Sequence, residues 1–257
     1  MIDMHCHLLP GVDDGPRDWE ESMALVRQGT MDGIGAALVT PHLADLDPGL
    51  AGTLRERFVE LVEKAKGIGI ELILGAEVAF QFGLEGVREL GVGLFGGRYF
   101  LLELVPLGLV PPKLEDTLFQ LHLDGLFPVL AHIERYPGLV GDLERLERLA
   151  RMGVLFQVNA ETFLGKSGRA AARAVLRLAR MGLVHIVGSD AHDPDSRPMR
   201  MADAWRTVER DVGVEVARRI FEEIPRALLS GERVDAEPLE EEGEGVFKRV
   251  TRRLWRM

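Results

Sequence analysis

A glycine that stops a helical pattern and opens an apolar run recurs six times along this chain. It stands at Gly33 (MDGIGAALVT), Gly67 (KGIGIELIL), Gly97 (GGRYFLLEL), Gly125 (DGLFPVLAH), Gly153 (MGVLFQVNA) and Gly182 (MGLVHIVGSD). From 33 to 67, 97, 125, 153 and 182 the steps are 34, 30, 28, 28 and 29 residues, the length of one strand plus one helix. Glycine adopts the left-handed conformation just past a helix end without a Cβ clash, so each one ends a helix and releases the chain into a strand. The runs AALVT, LILG, FLLEL, FPVLA, VLFQV and VHIVG are almost continuously apolar, as parallel strands covered on both faces require. A first strand over residues 1–7 brings the count to about seven, with helical patterns over 19–31, 54–66, 114–123, 143–152 and 170–181. The pattern predicts an α/β protein whose strands form a closed or nearly closed β/α barrel; the repeat alone leaves an open doubly wound sheet as the alternative.

The repeat fills residues 1–231 as one domain and gives way at 232–257 to a charged tail, acidic over Glu237, Glu240, Glu241, Glu242 and Glu244, then basic from Lys248 to Arg256. Within the tail, Phe247, Val250, Leu254 and Met257 make one apolar stripe, so a short amphipathic helix is expected there. Such a helix suits either peripheral contact with an anionic membrane or docking on protein. Thirty-one basic against 41 acidic residues give a net charge of -10, which repels phosphate polymers and predicts no nucleic-acid partner. The apolar stretch over 99–112 is broken by Glu103 and falls short of the roughly 20 residues a spanning helix needs. Asp3 and His5 stand where a signal peptide would be basic and apolar, so a cytoplasmic location is expected. One cysteine excludes an internal disulfide.

In β/α barrels the chemistry gathers where strands end. Six to ten residues beyond the marker glycines stand His42, Glu77, Glu103, His132, Asn159 and Asp190. A single buried His or Glu is ordinarily a satisfied core residue, but here that account has to be repeated at every strand end. His5 and His7 share a face of the first strand, since alternate strand side chains point the same way, and Cys6 points away. Asp190-Ala191-His192 repeats this spacing at the last strand, so the two triplets are expected to converge across the barrel. Convergent imidazoles and carboxylates select Mn, Fe or Zn, and eight of them exceed one ion's needs, which points to two or three metals and metal-activated hydrolysis at phosphorus. A cysteine nucleophile is disfavoured because Val12 stands where a phosphate-cradling arginine belongs, six residues after Cys6. The Gly11–Gly15 loop lacks the GxxxxGK[ST] pattern; its carboxylates could serve as further metal ligands, although Asp13-Asp14-Gly15-Pro16 reads by itself better as a turn.

The HxH pair, the later histidine and acids, and the terminal DxH resemble the polymerase and histidinol phosphatase (PHP) superfamily. MIDMHCHLLPGVDDGP, TPH at 40–42, GAE at 75–77, HIERYP at 132–137 and GSDAH at 188–192 are similar to its manganese-dependent bacterial protein-tyrosine phosphatases of capsule and exopolysaccharide regulation. The resemblance runs to about Gly231 and leaves the tail outside. It implies a distorted, TIM-like (β/α)7 barrel holding three ions, Mn2+ before Fe, Zn or Mg. One ion would lie on His5, His7, Glu77 and Asp190, a second on Glu77, Glu103 and His132, and a third on Asp14, His42 and His192. Arg135 and Arg197 become the expected phosphate-binding arginines. Cys6 and Ile133 depart from the family pattern, which often has Ser and Pro at these two places. The implied substrate is a phosphotyrosine protein, such as a membrane-associated bacterial tyrosine kinase. A histidinol-phosphatase-like enzyme or PHP nuclease is the alternative reading, and a non-enzymatic metal-binding regulator the remote one.

Overall fold

The computed structural model describes residues 1–81, 83–105 and 108–238; the expected tail helix over 247–257 lies outside them. Among these residues the strands are β1 (Ile2–Cys6), β2 (Ala36–Val39), β3 (His42–Leu43), β4 (Glu71–Leu74), β5 (Glu77–Ala79), β6 (Tyr99–Glu103), β7 (Phe127–Leu130), β8 (Leu155–Asn159) and β9 (Ile186–Gly188). Every pairing between them is parallel, in the orders β1-β2-β4 and β3-β5-β6-β7-β8-β9. The two groups run into each other because β2 leads through Thr40 and Pro41 into β3 and β4 through Gly75 and Ala76 into β5, with Gly75 N–H to Val39 O (2.9 Å) and Glu77 N–H to Pro41 O (3.0 Å) carrying the pairing across the breaks, and at the other edge Cys6 bridges Ala191. The result is a parallel sheet curled on itself, and an open doubly wound layer does not describe it.

Helices α1 (Trp19–Met31), α2 (Pro48–Lys64), α3 (Leu114–Leu123), α4 (Pro137–Val140), α5 (Leu143–Arg151), α6 (Ala160–Phe163), α7 (Arg169–Arg180) and α8 (Ala202–Asp211) lie between and after the strands. All six marker glycines have positive φ, Gly153 for example at 91°. Helix α2 begins six residues before the expected Leu54, because Asp47 accepts the Gly49 N–H and Pro48 supplies the pre-set first helical φ. None of the helices described is long and apolar enough to cross a membrane.

Strand phase separates structure from chemistry. Ile2, Met4, Ala36, Leu38, Leu101, Val129, Leu155 and Ile186 pack together on the inner side of the curled sheet. Residues of the same phase further along the strands are Glu103, Gln157, Asn159 and Asp190, so each strand turns from apolar to polar as it nears its C-terminal end. In β1 the register shifts between Asp3 and Cys6. This irregularity lets Ile2 and Met4 share the inner cluster while His5 and His7, in the opposite phase, reach the same interior.

The opposite end is sealed by the chain after the last helix. Tyr99 donates to Glu232 O (2.7 Å), Ala236 is buried, and Gly96 and Gly231 approach so closely that a Cβ on Gly96 would lie 2.8 Å from the Gly231 backbone. Packing therefore continues five residues beyond Gly231. His185 holds this strap: its Nδ1 accepts the Phe156 N–H (2.9 Å) and its Nε2 meets Ala236 O (3.2 Å), which requires the neutral ring. Burial pushes its pKa down to about 3. The unfolded chain, with a histidine near 6.5, takes up a proton that the folded chain refuses, so stability is full above that pH and is lost as pH falls toward 3. Between pH 7 and pH 5 this group should cost about 2 kcal/mol. Urea unfolding of His185→Gln at the two pH values should show a correspondingly smaller loss than the parent chain; equal losses would refute the assignment.

Candidate active site

The two triplets meet, though not across the barrel. β1 and the turn after β9 are neighbours in the wall, with His7 N–H bonded to Ala191 O (2.8 Å) and Asp190 N–H to His5 O (2.8 Å). The His7 and His192 rings consequently lie 3.9 Å apart. His42, Glu77, Glu103 and His132 project from neighbouring strand ends toward the same place. Glu77 is the hub: Oε2 lies 3.2 Å from His5 Nε2, 3.4 Å from His7 Nε2 and 3.2 Å from His42 Nδ1, and Oε1 lies 2.8 Å from His132 Nε2. Glu103 reaches His132 at 3.6 Å and His42 at 3.8 Å. Asp14 Oδ1, at the rim, sits 3.2 Å from His42 Nε2 and 3.1 Å from His192 Nε2.

Ligand-type atoms of His7, Asp14, His42 and His192 all lie within 4.8 Å of one another, as do those of His5, His7 and Asp190 and those of His42, Glu77 and Glu103. His7 and His42 each belong to two of these groups, a sharing that strand-end counting does not predict. The arginines converge on Asp190. Its Oδ2 accepts from Arg135 (2.6 Å), Arg197 (2.7 Å) and Asn159 Nδ2 (2.7 Å), while Oδ1 faces His5 at 3.6 Å. Arg197 also approaches Asp14 at 3.9 Å.

His132 (φ 32°) and Asp190 (φ 54°) are the non-glycine residues with positive φ among those described. Such backbone costs roughly 1–3 kcal/mol and persists where the surroundings over-determine it, commonly at functional sites. Here the His132 N–H is held by Gln157 Oε1 (2.6 Å) and the Asp190 N–H by His5 O. After His132 a short turn over Ile133–Arg135 folds Arg135 back over the cluster, and the buried Tyr136, bonded to Leu104 O (2.7 Å), anchors it.

Sequence reading missed the residues that orient these side chains. Asp13, taken as part of a turn, accepts from His7 Nδ1 (2.8 Å) and the His42 N–H (3.0 Å). Gln157 meets His5 Nδ1 (3.2 Å) and donates to Asn159 Oδ1 (2.9 Å). Asp3 Oδ1 accepts the Ser189 N–H (2.9 Å), tying β1 to the turn that carries Asp190. For Gln157 the available signal was its phase, two residues before Asn159 on β8.

Burial works against a charged His7, but bonds to Asp13 and Glu77 prevail and raise it to about 10. Burial also opposes ionisation of Glu77, yet His5 and its other histidine neighbours hold it well below the usual carboxylate range. Glu103 goes the other way, pushed up to about 7 by burial and by the Glu77 charge. Cys6 is sealed in the core with its thiol on Leu38 O (3.3 Å), and burial raises its pKa well above normal. A thiolate nucleophile needs the reverse environment. Cys6→Ser should therefore keep most of the parent activity, and a folded but inactive variant would overturn this exclusion.

The CpsB/CapC family, described as capsular polysaccharide synthesis, matches residues 1–230. This chain belongs to the CpsB/CapC family. Among its relatives, tyrosine-protein phosphatase CpsB of Streptococcus pneumoniae is 30% identical over 242 residues, covering 89% of this chain and 98% of the relative. Tyrosine-protein phosphatase YwqE of Bacillus subtilis is 29% identical over 228 residues, 86% of this chain and 89% of the relative. A solved structure from work on YwqE and CpsB, described as unique metal-dependent tyrosine phosphatases, superposes with a TM-score of 0.83 at 27% identity, covering 93% of this chain and all of that one. In the CpsB/CapC family this chain's marker residues all fall inside the matched span.

Proposed function

We propose that this CpsB/CapC member is a metal-dependent protein-tyrosine phosphatase acting in capsular polysaccharide synthesis. The observation that carries the reading is one wall on which five imidazoles, four carboxylates and two arginines meet: a cation-binding donor set beside a phosphate-binding pair. The donor set fits divalent ions. Glu77 and Asp190 are buried carboxylates held ionised by protons on neighbouring imidazoles and by the arginines, a place that divalent cations would take over from those ring protons. His132 Nδ1 is buried without a hydrogen-bond partner.

In this reading three ions, manganese first and Fe, Zn or Mg as substitutes, occupy the sets named from the resemblance: His5, His7, Glu77 and Asp190; Glu77, Glu103 and His132; Asp14, His42 and His192. The curled sheet is then the PHP barrel of seven strands, with β2–β3 and β4–β5 as two interrupted members. Bound there, the ions supply Lewis-acid neutralisation of phosphoryl charge and make water nucleophilic near neutral pH. Arg135 and Arg197 bind the phosphoryl oxygens and align the ester; both side chains are about one-third exposed, open to a substrate while tethered to Asp190. Asp13 and Gln157 fix the His7 and His5 rings by bonding their Nδ1 atoms, leaving both Nε2 atoms on the cluster side. Tyrosine leaves with a pKa near 10, so departure makes little demand on a general acid. The domain extends at least over 1–231, the substrate is a phosphotyrosine protein such as a membrane-associated tyrosine kinase, and the setting is the cytoplasm.

Hydrolysis of matched phosphotyrosine, phosphoserine and phosphothreonine peptides and of histidinol phosphate, each with defined metals, tests the reading. Phosphotyrosine with manganese should be fastest; a preference for histidinol phosphate would overturn it.

A further inference from the structure

Beside the cluster of imidazoles and carboxylates a cavity of about 180 Å3 opens against Asp190 and Arg197. Its outer wall is built by Leu164, Lys166, Pro198 and Arg200. Arg197 belongs to both places, so a phosphoryl group bound by Arg135 and Arg197 has this cavity as its immediate neighbour. Its lining carries three acids, Glu161, Asp190 and Asp203, and three basic residues, Lys166, Arg197 and Arg200. Arg200 is exposed and has no ion pair or hydrogen bond among the described residues, and Lys166 reaches Glu161 only at 3.8 Å. Asp190 is held by Arg135 and Arg197, and Asp203 is taken by Arg206. Helix α7 starts three residues after Lys166 and carries Arg169, Arg173, Arg177 and Arg180 with no acidic residue, in a chain whose net charge is -10. Each acid of the lining thus has a basic partner while Arg200 has none among the described residues, which leaves one unmatched positive charge at the mouth for an anion. Leu164, 42% exposed, and Pro198 offer an apolar strip that suits the carbon stem of a side chain.

We propose that this cavity is a substrate subsite which takes an anionic side chain next to the phosphotyrosine on the same peptide, with Arg200 as the principal contact and Lys166 as the second. This rests on the phosphotyrosine phosphatase reading and adds sequence preference to it. The ligand chemistry is a carboxylate or a second phosphate, and the two sources are separated by the peptides used.

The test is a set of phosphotyrosine peptides whose neighbouring residue is Glu, a second phosphotyrosine, or Ala. These are hydrolysed by the manganese-supplied parent chain, Arg200→Ala, Arg200→Lys and Arg200→Glu. The parent should favour an anionic over the Ala peptide by about 5- to 10-fold in kcat/KM, through KM, the effect expected of one or two solvent-screened charge pairs. Arg200→Ala should remove most of that ratio, Arg200→Lys restore much of it and Arg200→Glu invert it. Anisotropy of labelled, non-hydrolysable phosphonate versions should show the same order and weaken with salt. A ratio of one in the parent, or the same ratio in all four proteins, overturns the subsite. p-Nitrophenyl phosphate separates this from the larger reading. If the parent hydrolyses it and the peptides without discrimination, only the subsite fails; if the parent hydrolyses neither while phosphonate binding still follows the Arg200 charge, the phosphatase reading fails and the subsite stands. An acidic membrane as the true ligand would appear as Arg200-dependent sedimentation with anionic vesicles and no peptide discrimination, which also overturns it.

Discussion

Asp190→Asn is expected to lower kcat by at least about 1,000-fold and to reduce bound metal, while leaving the chain folded. Asparagine is the informative replacement. Asp190 has φ 54°, a conformation Asn tolerates far better than Ala, so the variant removes charge without adding backbone strain. What it removes is a carboxylate that faces His5 and His7 with one oxygen and Arg135, Arg197 and Asn159 with the other. Opposing burial, these cationic neighbours hold its pKa below the usual carboxylate range, so it is ionised wherever the enzyme works. His7→Ala should behave similarly, since His7 stands in two of the three groups of ligand atoms. Elemental analysis alongside kinetics is the check: full metal content in an active Asp190→Asn protein would remove this residue from the metal site.

Arg135→Ala should cost about 2–4 kcal/mol of transition-state stabilisation, or roughly 30- to 1,000-fold in rate, with metal content unchanged. Unchanged metal content is a discriminating outcome, because Arg135 touches Asp190 at 2.6 Å. If its role is only to brace that carboxylate, metal will be lost with activity. If it grips the phosphoryl group, activity falls alone. Arg135→Lys should recover only part of the loss, since an ammonium lacks the planar fork that matches two phosphoryl oxygens. Full recovery would show that charge alone suffices.

Much of this was legible in the chain itself. The spacing of glycine followed by apolar residues reports a strand-plus-helix unit because helix ends and buried strands each impose a local requirement, left-handed φ in one case and continuous apolar character in the other. The same period identifies strand ends, and His42, Glu77, Glu103, His132 and Asp190 stand at them. Alternation along a strand similarly puts His5 and His7 on one side and Cys6 on the other. What such reasoning missed was long-range. Asp13 belongs to a turn by every local criterion, and only the fold brings its carboxylate to the His7 ring and the His42 N–H.

Local propensity and period thus determined the α/β class, the unit length and the roster of candidate residues. Tertiary structure decided who meets whom. Pairing of β1 with the turn after β9 made the two triplets neighbours where facing positions were expected, because parallel register is set by contacts nearly 190 residues apart, such as His5 O with Asp190 N–H. The register irregularity in β1 set which strand phase faces inward. The left-handed backbone at His132 and Asp190 is also a tertiary outcome: neither residue prefers it, and it is held by hydrogen bonds from β8 and β1 that exist only once the sheet has curled. Those bonds, with the fold-back at Arg135, bring both arginines onto Asp190, so that the arginine pair and the cluster of imidazoles and carboxylates become one site.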